Sequence, residues 1–311
     1  MSSWQAQLMN LLVKQNVKRH FRRPVDVAEF RRRLNARQRV TVPTGWQVRI
    51  VEQRPGFCDE WIEPLGSLQS SRPAPLLLYL HGGGYLACSP RSHRSLTVAL
   101  AAQSGMRCLS LDYPLAPEHP FPAALEATIA VYQQFLADGE APDRIVLAGD
   151  SAGGGLALAT LLKLRELGEP LPAGAALFSP LTDLAGTGAS LKTNEKSDAF
   201  FFARMILDAG RYYLDGKVEV TDPLASPLYA DLSGLPPLLV HVSDSELLRD
   251  DSLRLIDRAR QHGVSVESQI WRNLPHVWQI FTPFVPEARE SIARTAAFLQ
   301  TCVANVPVAN V

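Results

Sequence analysis

The sequence predicts an α/β fold: a mostly parallel central sheet of about eight strands, flanked by helices on both faces. Two observations carry this. Short apolar runs alternate with longer segments of helical pattern through most of the chain, and such strand–helix alternation makes parallel sheets with helices on both sides. The length of 311 residues, with 46% hydrophobic residues, suits one domain with an embellishment and a sizeable core.

The elements follow in order. Val48 to Gln53 and Cys58 to Leu65 read as an opening β-hairpin. Further strands recur near Leu76, Arg107, Ile145, Ala175, Leu238 and Val266. Helices fall between or after them, over Ser92 to Gln103, Ala123 to Ala137, Ala152 to Leu167, Asp251 to Gln261 and Glu287 to Cys302. Residues 1–44 are expected to form a separate helical segment, and 45–311 the main domain.

Two short strings carry chemistry. Gly149-Asp150-Ser151-Ala152-Gly153 follows the buried run Arg144 to Ala148 and opens a helical pattern. A serine between two glycines at a strand–turn–helix junction is a nucleophile elbow, where flanking side chains would clash. The Ala152 amide then sits at a helix N-terminus, which favours negative charge. The plainer reading is a Gly-rich turn with an N-capping serine. The second string, His81-Gly82-Gly83-Gly84, ends the apolar run Pro75 to Leu80. Successive glycines at a strand end cost conformational entropy, and close approach of backbone to a ligand oxygen is one reason to carry them. The Gly83 and Gly84 amides, with that of Ala152, are candidates to surround an oxyanion. His81 is expected to fix the loop. No dinucleotide or P-loop fingerprint is present, which argues against a phosphate cradle.

At these residues the chain resembles the hormone-sensitive-lipase-like branch of the α/β-hydrolases, largely small bacterial carboxylesterases. The resemblance runs from about Leu76 to the C-terminal helix. Beyond the two strings it includes Asp112 to Ala124 (DYPLAPEHPFPAA), Ser179 to Asp183 (SPLTD), Asp222-Pro223, and Leu274 to Trp278 (LPHVW). It implies the α/β-hydrolase fold and a serine carboxylesterase acting on short-chain acyl esters. It also implies that the segment about 187–216 and the N-terminus form a cap over the active site.

In that fold the triad runs nucleophile, acid, histidine. Of seven histidines only His241, His262 and His276 follow Ser151. His241 lies inside the apolar run Pro237 to Val242, and His262 precedes Gly263 at a helix end. His276 follows the strand Val266 to Trp271 in a loop and is the expected general base, in agreement with the family motif. For the acid, alignment with the family's helix start puts Glu246 in the slot, Asp244 remains a rival, and Asp250 reads as a first-turn helix carboxylate. Asp150 is expected to serve the scaffold. Glu118 reads either as a brace beneath Ser151 or as an ordinary loop ion pair. Tyr85, Phe200, Phe201 and Phe202 are acyl-pocket candidates. The alternatives are a lactone, amide or carbamate hydrolase with the same triad, or a non-catalytic binding protein on the same fold.

Composition excludes other classes. Lys+Arg 31 against Asp+Glu 31 leaves no formal charge, which argues against a nucleic-acid partner. The chemistry requires no metal or organic cofactor, and no HExxH string, zinc-type cysteine pairing or EF-hand loop occurs. Cys58, Cys88, Cys108 and Cys302 are scattered and read as buried thiols in a reducing, cytoplasmic setting. No run approaches the roughly 20 apolar residues of a membrane span, and no signal-peptide pattern opens the chain. A small-molecule ester is the expected partner, and analogy with the family alone adds a homodimer through an edge strand near Val266 to Trp271. The segment 14–39 holds ten Lys/Arg and only Asp26 and Glu29. A solvated basic face is the plain reading, and attraction to anionic substrates or lipid surfaces the sharper one. Just before it, Trp4, Leu8, Leu11 and Leu12 fall on one helix face.

Overall fold

The computed structural model describes residues 2–21, 26–35, 40–67 and 73–304. Arg22, Arg23, Arg37 and Arg39 of the basic segment lie outside the described residues. The chain opens with α1 (Trp4–Asn16) and α2 (Val27–Leu34). A hairpin of β1 (Trp46–Arg54) and β2 (Phe57–Pro64) follows. Strand and helix then alternate through β3 (Leu76–Leu80), α3 (Pro90–Ser104), β4 (Arg107–Leu111), α4 (Ala123–Ala137), β5 (Ile145–Asp150), α5 (Ala152–Glu166) and β6 (Gly174–Phe178). Two helices, α6 (Ser190–Thr193) and α7 (Ala203–Leu214), interrupt the alternation. It resumes with β7 (Leu238–Ser243), α8 (Arg249–Gln261), β8 (Val266–Trp271) and α9 (Pro286–Ala304).

The eight strands form one sheet in the order β1-β2-β4-β3-β5-β6-β7-β8. The pairs β1–β2 and β2–β4 are antiparallel and the rest parallel. The central strands are buried at every position and largely apolar because both faces are covered. On β3, Leu76, Leu78 and Leu80 join the core that includes α4, α5 and α8, while Leu77 and Tyr79 join the one under α3 and α9. From β3 the chain winds one way to β4, and from β5 the other way to β6. Open α/β sheets bind ligands at such a switch point, beyond the carboxyl ends of the strands. Leu80 pairs with Gly149 across β3 and β5, so the loops that follow these strands emerge side by side.

The predicted strands and helices are present, with ends displaced by a residue or two where they differ at all. One expectation is corrected. Cys58 is exposed, not buried, because β2 gains its β4 neighbour only from Glu60 onward. All four cysteines are free. On α1 the apolar stripe faces outward: Trp4 is 70% exposed and Leu11 51%, whereas Ala6 and Val13 are buried. No described helix is long and apolar enough to cross a membrane.

Candidate active site

Ser151 stands between β5 and α5 at φ 51°, ψ −120°, a conformation that costs a non-glycine residue roughly 1–3 kcal/mol. Hydrogen bonds on both sides hold it there. Its N–H donates to the Phe178 carbonyl at 2.8 Å, and its carbonyl accepts from the Leu181 N–H at 2.9 Å. Gly153 is required by close approach, since a Cβ there would lie 2.0 Å from the Leu80 carbonyl oxygen. The turn therefore presses directly against the end of β3.

The loop after β3 is built on Asp150. The Gly82 N–H donates to Asp150 Oδ1 at 3.0 Å and the Tyr79 hydroxyl to the same oxygen at 2.6 Å. His93 Nε2 pairs with Oδ2 at 3.2 Å. Burial opposes the Asp150 charge, but His93 and these hydrogen bonds prevail and hold its pKa below the ordinary carboxylate value. Gly83 sits at φ 117°, and a Cβ there would lie 2.1 Å from the Ala87 carbonyl oxygen. The Leu86 and Ala87 N–H groups fold back onto the Gly83 carbonyl at 3.1 Å each, and Gly84 completes the turn at φ 64°. His81 is fully buried and stacked on Tyr113 at 4.3 Å. Burial, helped by nearby His93, depresses its pKa to about 3, so it stays neutral.

His276 follows β8, and its Nδ1 lies 3.1 Å from Glu246 Oε1. The other Glu246 oxygen accepts from the Ser179 hydroxyl at 2.8 Å and the Ser243 N–H at 3.1 Å. Both side chains are almost wholly buried. Asp244 is engaged elsewhere: its Oδ1 accepts from the Asn273 N–H at 2.8 Å, at the start of the histidine loop. Burial disfavours a charged His276, but the Glu246 carboxylate outweighs it, aided by Asp198 and Asp150, and its pKa is raised above the ordinary value. The other two histidines have plain roles. His241 is buried against the Ser291 hydroxyl at 2.8 Å, and His262 accepts the Leu232 N–H at 2.7 Å.

A family described as alpha/beta hydrolase fold matches residues 77–280. The chain belongs to the α/β-hydrolases. An acetyl-hydrolase of Streptomyces hygroscopicus is 43% identical over 84% of each chain. An esterase of Acinetobacter venetianus is 40% identical over 72% of this chain and 74% of its own. A solved esterase from the bacterial hormone-sensitive lipase family is 39% identical, with a TM-score of 0.87 over 97% of this chain and 99% of its own. This hydrolase is a carboxylic ester hydrolase of the hormone-sensitive-lipase-like branch.

In this α/β-hydrolase the aromatic residues singled out in sequence part company. The Phe201 ring lies edge-on to His276 at 5.3 Å and Phe200 at 6.5 Å. Phe200 also stacks on Phe281 at 6.3 Å, a ring with no motif to flag it. Phe202 instead lies under the Lys18 ammonium at 4.7 Å, with the Arg204 guanidinium at 5.3 Å. Tyr85 is packed in the core, stacked on Tyr213 at 3.7 Å, and is not among the rings around His276. Glu118 forms an ordinary loop ion pair with Arg31 at 2.6 Å, and that hydrogen-bonded guanidinium lowers its pKa to about 2. Asp250 takes the Ser190 N–H at 2.9 Å in the first turn of α8.

Sequence reasoning missed the residues that hold the loop of residues 244–247. Asn194 Nδ2 donates to the Asp244 and Glu246 carbonyls, both at 2.9 Å. The Ser197 hydroxyl donates to the Ser245 carbonyl at 2.9 Å, and the Ser190 hydroxyl to that of Leu247 at 2.6 Å. Asp198 accepts the Leu247 N–H at 2.8 Å on one oxygen, and those of Phe200 and Phe201 at 2.7 and 2.8 Å on the other. Short polar residues in a loop carry no sequence signal for such contacts, because the partners are about fifty positions away. Asn194→Ala strands the buried Glu246 carbonyl and the part-buried Asp244 carbonyl and is expected to cost about 1–3 kcal/mol of unfolding free energy and to lower kcat more than tenfold. Denaturant unfolding and steady-state kinetics check this, and a kcat within twofold of the parent would separate the staple from the chemistry.

Proposed function

We propose that Ser151 is the nucleophile, His276 the general base and Glu246 the triad acid of a short-chain carboxylesterase, with the amides of Gly83, Gly84 and Ala152 forming the oxyanion hole. The observation that carries this reading is the buried Glu246–His276 contact at 3.1 Å, supported by Ser151 at positive φ, whose N–H donates to Phe178, the residue before the Ser179 that hydrogen-bonds Glu246. Asp244 is the poorer candidate for the triad member because its carboxylate is committed to Asn273.

On this reading His276 takes the Ser151 proton as Oγ attacks the ester carbonyl. The developing oxyanion is met by backbone dipoles that are already oriented, so little reorganisation opposes the step. Protonated His276 then gives its proton to the leaving alcohol, and water repeats the sequence on the acyl-enzyme. Glu246 fixes the imidazole tautomer and stabilises its cation. The Asp150–Gly82 hydrogen bond ties the oxyanion loop to the residue preceding the nucleophile, so both partners of the reaction share one support.

We read the N-terminal segment and residues 187–216 as one cap. Val13 packs with Ala199 and Phe200, and the Lys18 ammonium donates to the Asp198 carbonyl at 2.8 Å. Phe200 and Phe201 then close the acyl side. A wall of rings this near His276 favours acetyl to hexanoyl esters over long chains, and the name of the Streptomyces relative is consistent with a small acyl group. With p-nitrophenyl esters of increasing length, kcat/KM is expected to fall at least tenfold between butyrate and palmitate. Phe201→Ala is expected to narrow that gap, and comparable turnover of the palmitate by the parent enzyme would refute the pocket. The edge strand β8, with Ile270 half exposed, is where we place a homodimer contact.

A further inference from the structure

We propose that the outward face of α1 is a docking surface for anionic lipid membranes, seating the hydrolase with its cap against the lipid. The helix has two apolar faces. The inner one holds Ala6, Met9 and Val13, which pack among Trp278, Phe281, Ala199 and Phe200. The outer one presents Trp4, Leu8, Leu11 and Leu12, which are 70, 46, 51 and 41% exposed. Beside α1, Phe284 is 67% exposed and borders an apolar cavity of about 770 Å³ with Met9, Ile280 and Phe281. Apolar groups so grouped are unusual on a surface facing only water.

Charge selects the occupant. Residues 1–39 carry ten Lys/Arg against Asp26 and Glu29, a net +8, while the remainder carries 21 basic and 29 acidic residues, a net −8. At the C-terminal end of α1 the Lys14 ammonium donates to the Lys196 carbonyl at 2.6 Å, so two exposed lysines lie together. Arg19 follows within one turn, hydrogen-bonded to His20 at 3.3 Å. A second copy docked face to face would bring these cations together. An anionic lipid surface offers apolar depth to Trp4 and the leucines and counter-charge to the rim, which is how interfacial helices bind.

α1 is anchored for this task by contacts at both ends and one flank. The Ser3 hydroxyl donates to Glu287 at 2.7 Å, and Asn10 donates to the Asn273 carbonyl at 2.9 Å, three residues before His276. A membrane beneath α1 would therefore lie on the cap side of the His276 loop. That consequence rests on the esterase reading above; the docking itself does not. The two are compatible with a short acyl group, since Phe200 and Phe201 bound the acyl side while the lipid surface would hold an amphiphilic alcohol portion.

The test is co-sedimentation of the full chain with phosphatidylglycerol–phosphatidylcholine vesicles, against pure phosphatidylcholine, at low and high salt. Binding is expected to the anionic vesicles, weaker to the neutral ones, and reduced by salt. Leu8→Glu with Leu11→Glu is expected to weaken it at least tenfold, and Lys14→Glu with Arg19→Glu likewise. Unchanged thermal unfolding and hydrolysis of a soluble short-chain ester would show these variants to be intact. Because sedimentation needs no catalysis, Ser151→Ala should bind as the parent does, which keeps failure of docking distinct from failure of the esterase reading. No binding to anionic vesicles, or undiminished binding by both double variants, overturns the proposal. So does a concentration-dependent dimer that Leu8→Glu/Leu11→Glu dissociates, which would assign the face to a second copy.

Discussion

Ser151→Ala is expected to lower kcat for a short-chain aryl ester by about 10⁶-fold, while leaving the unfolding midpoint close to that of the parent. Loss of the nucleophile in a serine triad removes the covalent route altogether, and only binding and oxyanion stabilisation remain. The strain at this position belongs to the turn, held by Phe178 and Leu181, so alanine inherits the same φ and the fold has little reason to change. Steady-state kinetics with mass-spectrometric detection of labelling by a serine-directed phosphonate check both halves. A phosphonate that modifies another residue, or an alanine variant retaining a tenth of the activity, would move the nucleophile elsewhere.

Glu246→Gln is expected to lower kcat about 10⁴-fold, the scale seen when a triad acid becomes an amide and the histidine loses its working tautomer. It also predicts a shift in pH dependence. Burial alone would push the His276 pKa down, and the carboxylate reverses this, so the parent loses activity on the acid side at a pH above that of an ordinary histidine. Removing the charge leaves burial unopposed. The acid limb of kcat/KM should therefore move to lower pH in Glu246→Gln, the direction in which a neutral base survives further. Asp244→Asn serves as the control: its carboxylate takes the Asn273 N–H, a bond asparagine can still accept, and kcat is expected to stay within about fivefold. If Asp244→Asn and not Glu246→Gln abolished activity, the acid assignment would be reversed.

What was legible in the sequence follows from the range of the forces involved. β3, β5 and β7 read as apolar runs because each is buried at every position, and the polar residues they do carry, such as His241 and Asp150, are held by hydrogen-bond partners. Gly149, Gly153 and Gly83 were legible because a Cβ at each would lie 2.0–2.3 Å from a backbone oxygen, a distance that tolerates no side chain. His276 could be separated from His241 and His262 by context, since a strand interior and a helix end each give a histidine a sufficient local explanation. Side-chain destinations were less legible. Phe200, Phe201 and Phe202 are consecutive and chemically identical, yet two face His276 and the third lies beneath Lys18. Tyr85 adjoins the glycine loop in sequence but stacks on Tyr213, 128 residues later. On α1, periodicity identified an apolar face without revealing that a second face, Ala6 and Val13, is the one that packs inward.

The sequence by itself determined the alternation of strand and helix, the turn at Ser151, the glycine loop and the place of His276 in a loop after a strand. These depend on backbone sterics and on short-range apolar patterning, which neighbouring residues specify. Only the tertiary structure decided that Glu246 reaches His276 while Asp244 is turned to Asn273, that Asp150 ties the glycine loop to the elbow, and that Asn194, Ser197 and Asp198 hold the loop of residues 244–247 from the far side. Each of these is a hydrogen bond between residues 29–68 positions apart. Local preferences carry no information at that distance: the packing of the whole sheet must first bring the chain together, and only then can one carboxylate rather than its neighbour meet the ring.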